Sequence, residues 1–467
     1  MMQILIKLLE LAIVLGLGYL LTTRVLPWLF KVGLRLLGYS TQLSPVTAKR
    51  LRRFRAIRRG FWCFQVVTVL FVTSFFLELT VNSKALMIRY DGKTAFPAVS
   101  EWLDLIWVFG NISSFNKKSD FGQIGDSEVD YRQFARYAAD PSVMRAEVEK
   151  TRSGLAAERA AFLAKNPAPG PDAKPYQVKR HQRQMEKFAK SEETIAILEK
   201  NLAVFEQSRA SCWMPVYPVG PGDLRHDLAS NPPNRPSLAQ GIPLGTDLSG
   251  RDVVPLLLYG FRISLAFALV VSLLGYAFGI LIGGIQGYYG GWLDIVTQRF
   301  VEIWGSIPFL FTIMIIASAV QPSFWLLTIL MVILTSWLGI TYYVRAEFFR
   351  EKAKDYVQAA IGSGVSDWRI ITRHILPNAL VPVVTFAPFG IVAYIGSLVS
   401  LDFLGFGLPP GTPSWGALLR QGLENVKFYP HLTIIPTVAL AATLYTVVTI
   451  GEAVREAFDP KVFSRLR

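Results

Sequence analysis

Five runs in the second half of the chain are almost wholly apolar: residues 261–282, 300–320, 324–344, 381–401 and 431–451. Each is close to the roughly 20 residues that an α-helix needs to cross the hydrocarbon core of a bilayer. A sixth run, 61–79, follows a cluster of arginines, and together these predict a core of six membrane-spanning helices. An earlier apolar run, 11–30, is expected to be an extra span or an amphipathic helix on the membrane surface. It does not read as a cleaved leader, because no small-residue cleavage site follows it and Arg24 and Trp28 break up its end. The fold class expected is an all-α polytopic membrane protein.

Residues 82–251 have the composition of a soluble segment and are expected outside the membrane. Two helices are predicted there, 141–165 and 176–210, separated by NPAPGPDAKP. No helix crosses that linker, because proline lacks the backbone N–H and clashes with the preceding turn. In the first helix Val148, Leu155 and Phe162 repeat at seven; in the second Phe188, Ile195 and Leu202 do the same, joined by Leu198 and Phe205. Such spacing predicts a short antiparallel coiled-coil hairpin. Residues 231–243 are proline-rich and read as an extended connector.

Composition narrows the chemistry. The chain has 467 residues, 52% of them hydrophobic and only 18% charged, too little charge for a soluble protein of this size. A net charge of +14 raises nucleic acid as a partner. No basic stripe interleaved with aromatics lies on a soluble segment, and much of the excess flanks apolar runs, so no nucleic-acid partner is expected. Arg50, Arg52, Arg53, Arg55, Arg58 and Arg59 mark the cytoplasmic side. Counting spans from there returns the polar segment 345–377 to the cytoplasm, where the chain also ends. No GxxxxGK[S/T] pattern occurs, so the chain is not its own ATPase. No Ser–His–Asp or paired-carboxylate arrangement stands out, and Cys63, Cys212 and the four histidines lack disulfide or metal-ligand spacing. Catalysis and bound cofactors are therefore not expected in this chain. Acids within spans mark ion-coupled carriers, but Glu302, Asp402 and Glu452 all fall near span ends.

The 345–377 segment carries the most information. Tyr356, Ala359, Ala360 and Ser363 are spaced to share one helical face, and the two alanines keep it smooth enough for close approach. Gly364 is placed to end that helix in a left-handed conformation, Ser366 to cap the next, and Pro377 to break backbone pairing before the following span. The order Gln358-Ala359-Ala360, Gly364, Leu376-Pro377 resembles the EAA loop of ABC importer permeases. Gln358 stands where the family has an acid and His374 where it has an apolar residue; a His there is similar to the peptide-transporter branch. Three further segments extend the resemblance to dipeptide and oligopeptide permeases of the C type. They are Leu244–Asp252 running on to Tyr259–Ser264, Ser400–Gly407 with Thr412–Gly416, and Gly451–Arg455 with Asp459-Pro460. The arginine-rich opening is similar to the long subgroup that includes the microcin-C and oligopeptide permeases.

The resemblance implies a type I ABC importer permease fold with an extra N-terminal span and a periplasmic helical-hairpin insertion. The organisation expected is an extra helix at 1–38, a basic cytoplasmic segment and first core span at 39–82, and a periplasmic region at 83–256 with the hairpin near 141–210. A core permease domain at 257–455 and a cytoplasmic tail at 456–467 complete it. It implies a multi-pass subunit of the bacterial inner membrane that moves peptides. Its partners would be a second homologous permease, two ABC ATPase subunits carrying ATP and Mg, a periplasmic solute-binding protein and the lipid bilayer. Tyr356, Gln358, Ala359, Ala360, Gly364, Leu376 and Pro377 would dock the ATPase. The 404–416 loop, with Asp402, Gly405, Gly407 and Trp415, is expected to fold back along the outer mouth, lining a gate or meeting the solute receptor. The alternatives are an ion-coupled secondary transporter and a membrane-anchored envelope interaction protein.

Overall fold

The computed structural model describes residues 2–36, 45–106, 115–166, 175–228 and 230–458. The chain divides into two compact units. One comprises Met1–Phe75 with Pro221–Arg467, and the other Phe76–Gly220.

In the first unit three helices are long and apolar enough to cross a membrane: Val253–Tyr289, Asp367–Leu404 and His431–Phe458. Three bent pairs add up to three more: Pro45–Ala56 with Arg58–Ser74 (92°), Gly291–Gly305 with Phe309–Ala319 (65°), and Phe324–Ser336 with Leu338–Lys352 (44°). The N-terminal run is helical from Met2 to Leu36, with a π-helical stretch at Leu21–Val25, and its apolar part is Ala12–Trp28. The run expected as one span at 300–320 is instead broken. Pro308 has no N–H to give to the helix and holds extended backbone (ψ 104°), so the chain restarts at Phe309 in a new direction. Residues 221–252 belong with this unit, held by Leu248 N–H to Gln421 Oε1 (3.1 Å) and by Arg251 to the Gly411 carbonyl (3.2 Å). Asp252 then starts the Val253–Tyr289 helix by accepting the Val254 N–H at 2.9 Å. The C-terminal tail, including Asp459-Pro460, lies outside the described residues.

One close helix contact in this unit rests on what is missing from a single face. Gly275, Gly279, Gly283 and Gly287 recur at every fourth position of Val253–Tyr289 and line one face. A Cβ on Gly279, Gly283 or Gly287 would lie 2.7, 2.5 and 2.6 Å from the carbonyl oxygens of Trp337, Thr341 and Arg345. On Gly275 it would lie 2.0 Å from Ser336 Oγ. The two helices therefore meet backbone to backbone, the usual solution where lipid supplies no hydrophobic drive for helix association.

The second unit holds a small antiparallel sheet in the order Lys93–Ala95, Met87–Tyr90, Ala210–Trp213, an addition to the expected all-helical fold. Its core is aromatic: the Phe134 and Phe205 rings sit 5.1 Å apart, with Tyr90 and Tyr137 within 5.8 Å of Phe205. From this base rise the helices Pro141–Lys165 and Pro175–Glu206. Asp140 caps the first by accepting the Ser142 N–H at 3.0 Å, with Pro141 at the first turn, where a missing N–H costs nothing. The seam buries Val148, Phe188 and Ile195, and Phe162 meets Phe188 edge-on at 5.8 Å. Along one edge runs an ion-pair ladder. Arg145 meets Glu206 at 2.6 Å, Arg152 meets Glu199, and Arg159 meets Glu192 at 2.5 Å. Each step moves seven residues up one helix and seven down the other. The linker between the helices, residues 167–174, lies outside the described residues.

Candidate functional site

The 345–377 segment hangs from the helix Leu338–Lys352. Arg345 grips Asp294 through two hydrogen bonds of 2.5 and 2.7 Å, a planar fork that fixes both helices. Two turns on, Lys352 donates to the Tyr288 carbonyl, and the Tyr288 hydroxyl donates to Asp367 at 2.7 Å. The loop is thus clamped at both ends to the foot of the glycine-striped helix.

Inside the clamp, Glu351 is only 2% exposed and takes Lys354 Nζ at 2.6 Å and the Tyr356 hydroxyl at 2.8 Å. Asn378 Nδ2 donates to the same hydroxyl at 3.0 Å. Burial, then the neighbouring Glu351 carboxylate, pushes the Tyr356 phenol above its ordinary range. The short helix Asp355–Gly362 turns Val357 inward, where it is fully buried in a cluster with Val344, Phe348, Ile370 and Ile375. Gln358 Nε2 donates to the Lys352 carbonyl at 2.7 Å. In the family pattern an acid stands here, and no carboxylate makes that bond, so the glutamine ties the helix to the preceding turn.

Gly364 has φ +71°, the left-handed conformation expected of it. Its N–H reaches the Ile361 carbonyl and the Val365 N–H reaches that of Ala360, the paired bonds of a Schellman ending. Val365 then packs into the same cluster as Ala360. Ser366 stands at the start of the next turn but makes no side-chain cap. Pro377 does not mark a break before the following span, contrary to the expectation from sequence. Helix runs from Asp367 to Leu404 because the stretch Ile370–Ile375 widens into π-helix, and Leu376 N–H bonds to the Ile371 carbonyl. That widening precedes the proline ring within a continuous helix.

The four residues Tyr356, Ala359, Ala360 and Ser363 therefore serve two ends. Tyr356 is tied down on its hydroxyl side and Ala360 is half-buried, while Ala359 and Ser363 face solvent. With Gln358, Ile361, Gly362 and Gly364 they form an exposed platform, beside which Trp368 stands 75% exposed. A Cβ on Gly362 or Gly364 would meet nothing within 4 Å, so both positions are open to an approaching surface.

The outer-loop residues also converge. Asp402 is buried and accepts the Leu408 N–H at 2.7 Å and the Ser414 hydroxyl at 2.5 Å. Gly405 ends the helix with φ +85°, and a Cβ on Gly407 would strike Asp402 Oδ1 at 1.8 Å. Trp415 donates to the Leu257 carbonyl at 3.0 Å and packs on Gly260. In this arrangement Asp402 braces the 404–416 loop; both carboxylate oxygens are committed to that loop. Sequence reading missed Asp294, Tyr288 and Glu351. The four-residue glycine spacing is a signal for Tyr288, which follows Gly287 on the same helix; Asp294 lies on the next helix, Gly291–Gly305, where no such spacing points to it.

The family described as binding-protein-dependent transport system inner membrane component matches residues 275–464. The inner membrane ABC transporter permease protein YejE of Escherichia coli is 37% identical over 90% of this chain and 98% of its own length. The peptidoglycan transport system permease protein YejE of Agrobacterium fabrum is 34% identical over 90% of this chain and 94% of its own. The oligopeptide transport system permease protein OppC of Haemophilus influenzae is 36% identical over 46% of this chain and 70% of its own. Among solved structures, a chain of the MetNI methionine ABC transporter overlaps 44% of this chain and 96% of its own at 17% identity, with a TM-score of 0.37. On the strength of the full-length relatives, the chain belongs to the ABC transporter permeases, the membrane components of binding-protein-dependent transport systems.

Proposed function

We propose that this permease is one of two membrane subunits of an ATP-driven importer for peptides, sited as a multi-pass protein in the bacterial inner membrane. The observation that carries the reading is the exposed platform from Gln358 to Gly364, open at its two glycines and clamped from behind by Glu351, Tyr356 and the Arg345–Asp294 fork. Such a surface suits a soluble engine pressing on a rigid membrane part. That engine is a pair of ABC ATPases holding ATP and Mg, and the second permease completes the translocation path. A solute-binding protein delivers cargo near the loop braced by Asp402, Gly405, Gly407 and Trp415. Peptide cargo is supported by relatives named for oligopeptide and dipeptide transport. In the cycle, closure of the ATPases favours one of two arrangements of the spans, because the platform contacts differ between them.

The test is purification of the full chain from detergent-solubilised membranes, followed by uptake in reconstituted vesicles. An ABC ATPase and a second permease should accompany the chain, and peptide uptake should require ATP. Gly364→Trp should cut uptake at least about tenfold while the chain's abundance holds, whereas Gly364→Asn, which tolerates positive φ, should keep most of it. A chain recovered alone, or normal uptake in Gly364→Trp, would falsify the docking assignment.

A further inference from the structure

Between Glu10 and Glu78 the chain has no acidic residue, yet within it lie Lys49, Arg50, Arg52, Arg53, Arg55, Arg58 and Arg59. These cations occupy the helix Pro45–Ala56 and the first turn of Arg58–Ser74, which meet at 92° around Ile57. The second helix is the long apolar one, so the first lies across its axis, as a helix does that rests along a membrane surface.

The elbow is anchored on its inner side. Gly60 sits so close to the last spanning helix that a Cβ would lie 2.0 Å from that of Ala453, and the Arg50 guanidinium stacks 4.9 Å over the Phe458 ring. Phe54 folds back edge-on against Phe61 and Phe64 at 6.3 and 5.8 Å. What remains outward is Arg52, Arg55, Arg58 and Arg59, all exposed and in no ion pair among the described residues, interspersed with exposed Val46 and Leu51. Arg50 Nε is buried and has no acceptor among the described residues. Guanidinium forks without carboxylates match phosphate oxygens, and apolar side chains among them match the acyl layer just beneath.

We infer that this elbow is a binding site for anionic phospholipid, with the lipid phosphate held by Arg52, Arg55, Arg58 and Arg59 and with Val46 and Leu51 in the acyl layer. Because the elbow packs on the Ala453–Phe458 end of the last helix, a bound headgroup would secure that end as well. The assignment does not depend on the cargo or on the docking platform.

The experiment uses the full chain in proteoliposomes with spin-labelled phosphatidylglycerol or phosphatidylcholine as probe, reading the protein-immobilised fraction by electron paramagnetic resonance. Phosphatidylglycerol should be enriched at the protein about threefold or more over phosphatidylcholine, in line with the attraction of basic segments to anionic leaflets. The variant Arg52→Gln/Arg55→Gln/Arg58→Gln/Arg59→Gln should lose most of that enrichment, and the corresponding all-Lys variant should keep a large part. If the glutamine variant fails to fold, the wild-type chain decides, because roughly 1 M NaCl should abolish the enrichment through screening. Equal retention of both lipids, enrichment that survives the glutamine substitutions, or enrichment indifferent to salt overturns the proposal. So does displacement by inorganic phosphate at constant ionic strength, which would mark a site for the free ion.

Discussion

The glycine-striped helix and the hairpin are both long helices packed against a partner, and they solve that problem in opposite ways. In the membrane unit the contact is made by removing side chains, so that Gly279, Gly283 and Gly287 touch carbonyls directly. In the Phe76–Gly220 unit it is made by adding them: an apolar seam, an aromatic base and a ladder of ions. Solvent explains the difference. In lipid a leucine gains nothing by turning from acyl chains to another helix, whereas close backbone approach gains dispersion. In water, buried rings are worth several kilocalories and exposed ion pairs little. The first solution tolerates no additional atoms at the contact; the second is sensitive to their loss.

That contrast can be broken at graded cost, with hydrogen exchange on the full-length protein reading the two units separately. The largest effect is expected from Phe205→Ala, which empties the aromatic base and should destabilise the Phe76–Gly220 unit by about 3–5 kcal/mol. Amides of 131–166 and 175–213 should then exchange faster while those of the glycine-striped helix stay protected. Next comes Gly283→Ala, a single methyl driven to 2.5 Å from the Thr341 carbonyl. It should destabilise the spanning pair by about 1–3 kcal/mol, and the same substitution at Gly154 of the hairpin, where the space is open, should be neutral or slightly stabilising. A third test is charge reversal in the ladder. Arg152→Glu should cost about 1 kcal/mol or less, and adding Glu199→Arg should restore the loss. Failure of the double reversal to recover would show that the pairs do not set register. The smallest effect is on acid stability. Bonds from the Ser142 hydroxyl and N–H hold the Asp140 carboxyl below its usual value of 3.8. Its contribution to the first hairpin helix is therefore complete above that value and is lost as pH falls through the lowered one. Asp140→Ala should remove that pH dependence, seen as loss of a protection step for the first helix on acid titration.

What the sequence made legible follows these two kinds of packing. The first hairpin helix is found at its true limits because Asp140-Pro141 is a strong start signal and the heptads run in phase. Gly364 is legible because a left-handed ending has few alternatives to glycine. The sheet is not, since its strands are three and four residues long and Met87–Tyr90 pairs with a segment more than a hundred residues away. Glu351 is hidden in a run of charged residues that looks solvated throughout; its burial depends on where Tyr356 and Lys354 return. The Phe309 restart is hidden by hydropathy itself, which averages over the proline that causes it.

The ladder on the hairpin's edge also makes its length adjustable in steps. Removing or inserting one heptad in each helix at matched positions would keep every remaining Arg–Glu pair and every seam residue in phase. Each such step changes the reach by roughly 10 Å, at 1.5 Å of rise per residue. A hairpin built this way works as a graduated spacer whose reach can be changed while its base stays the same.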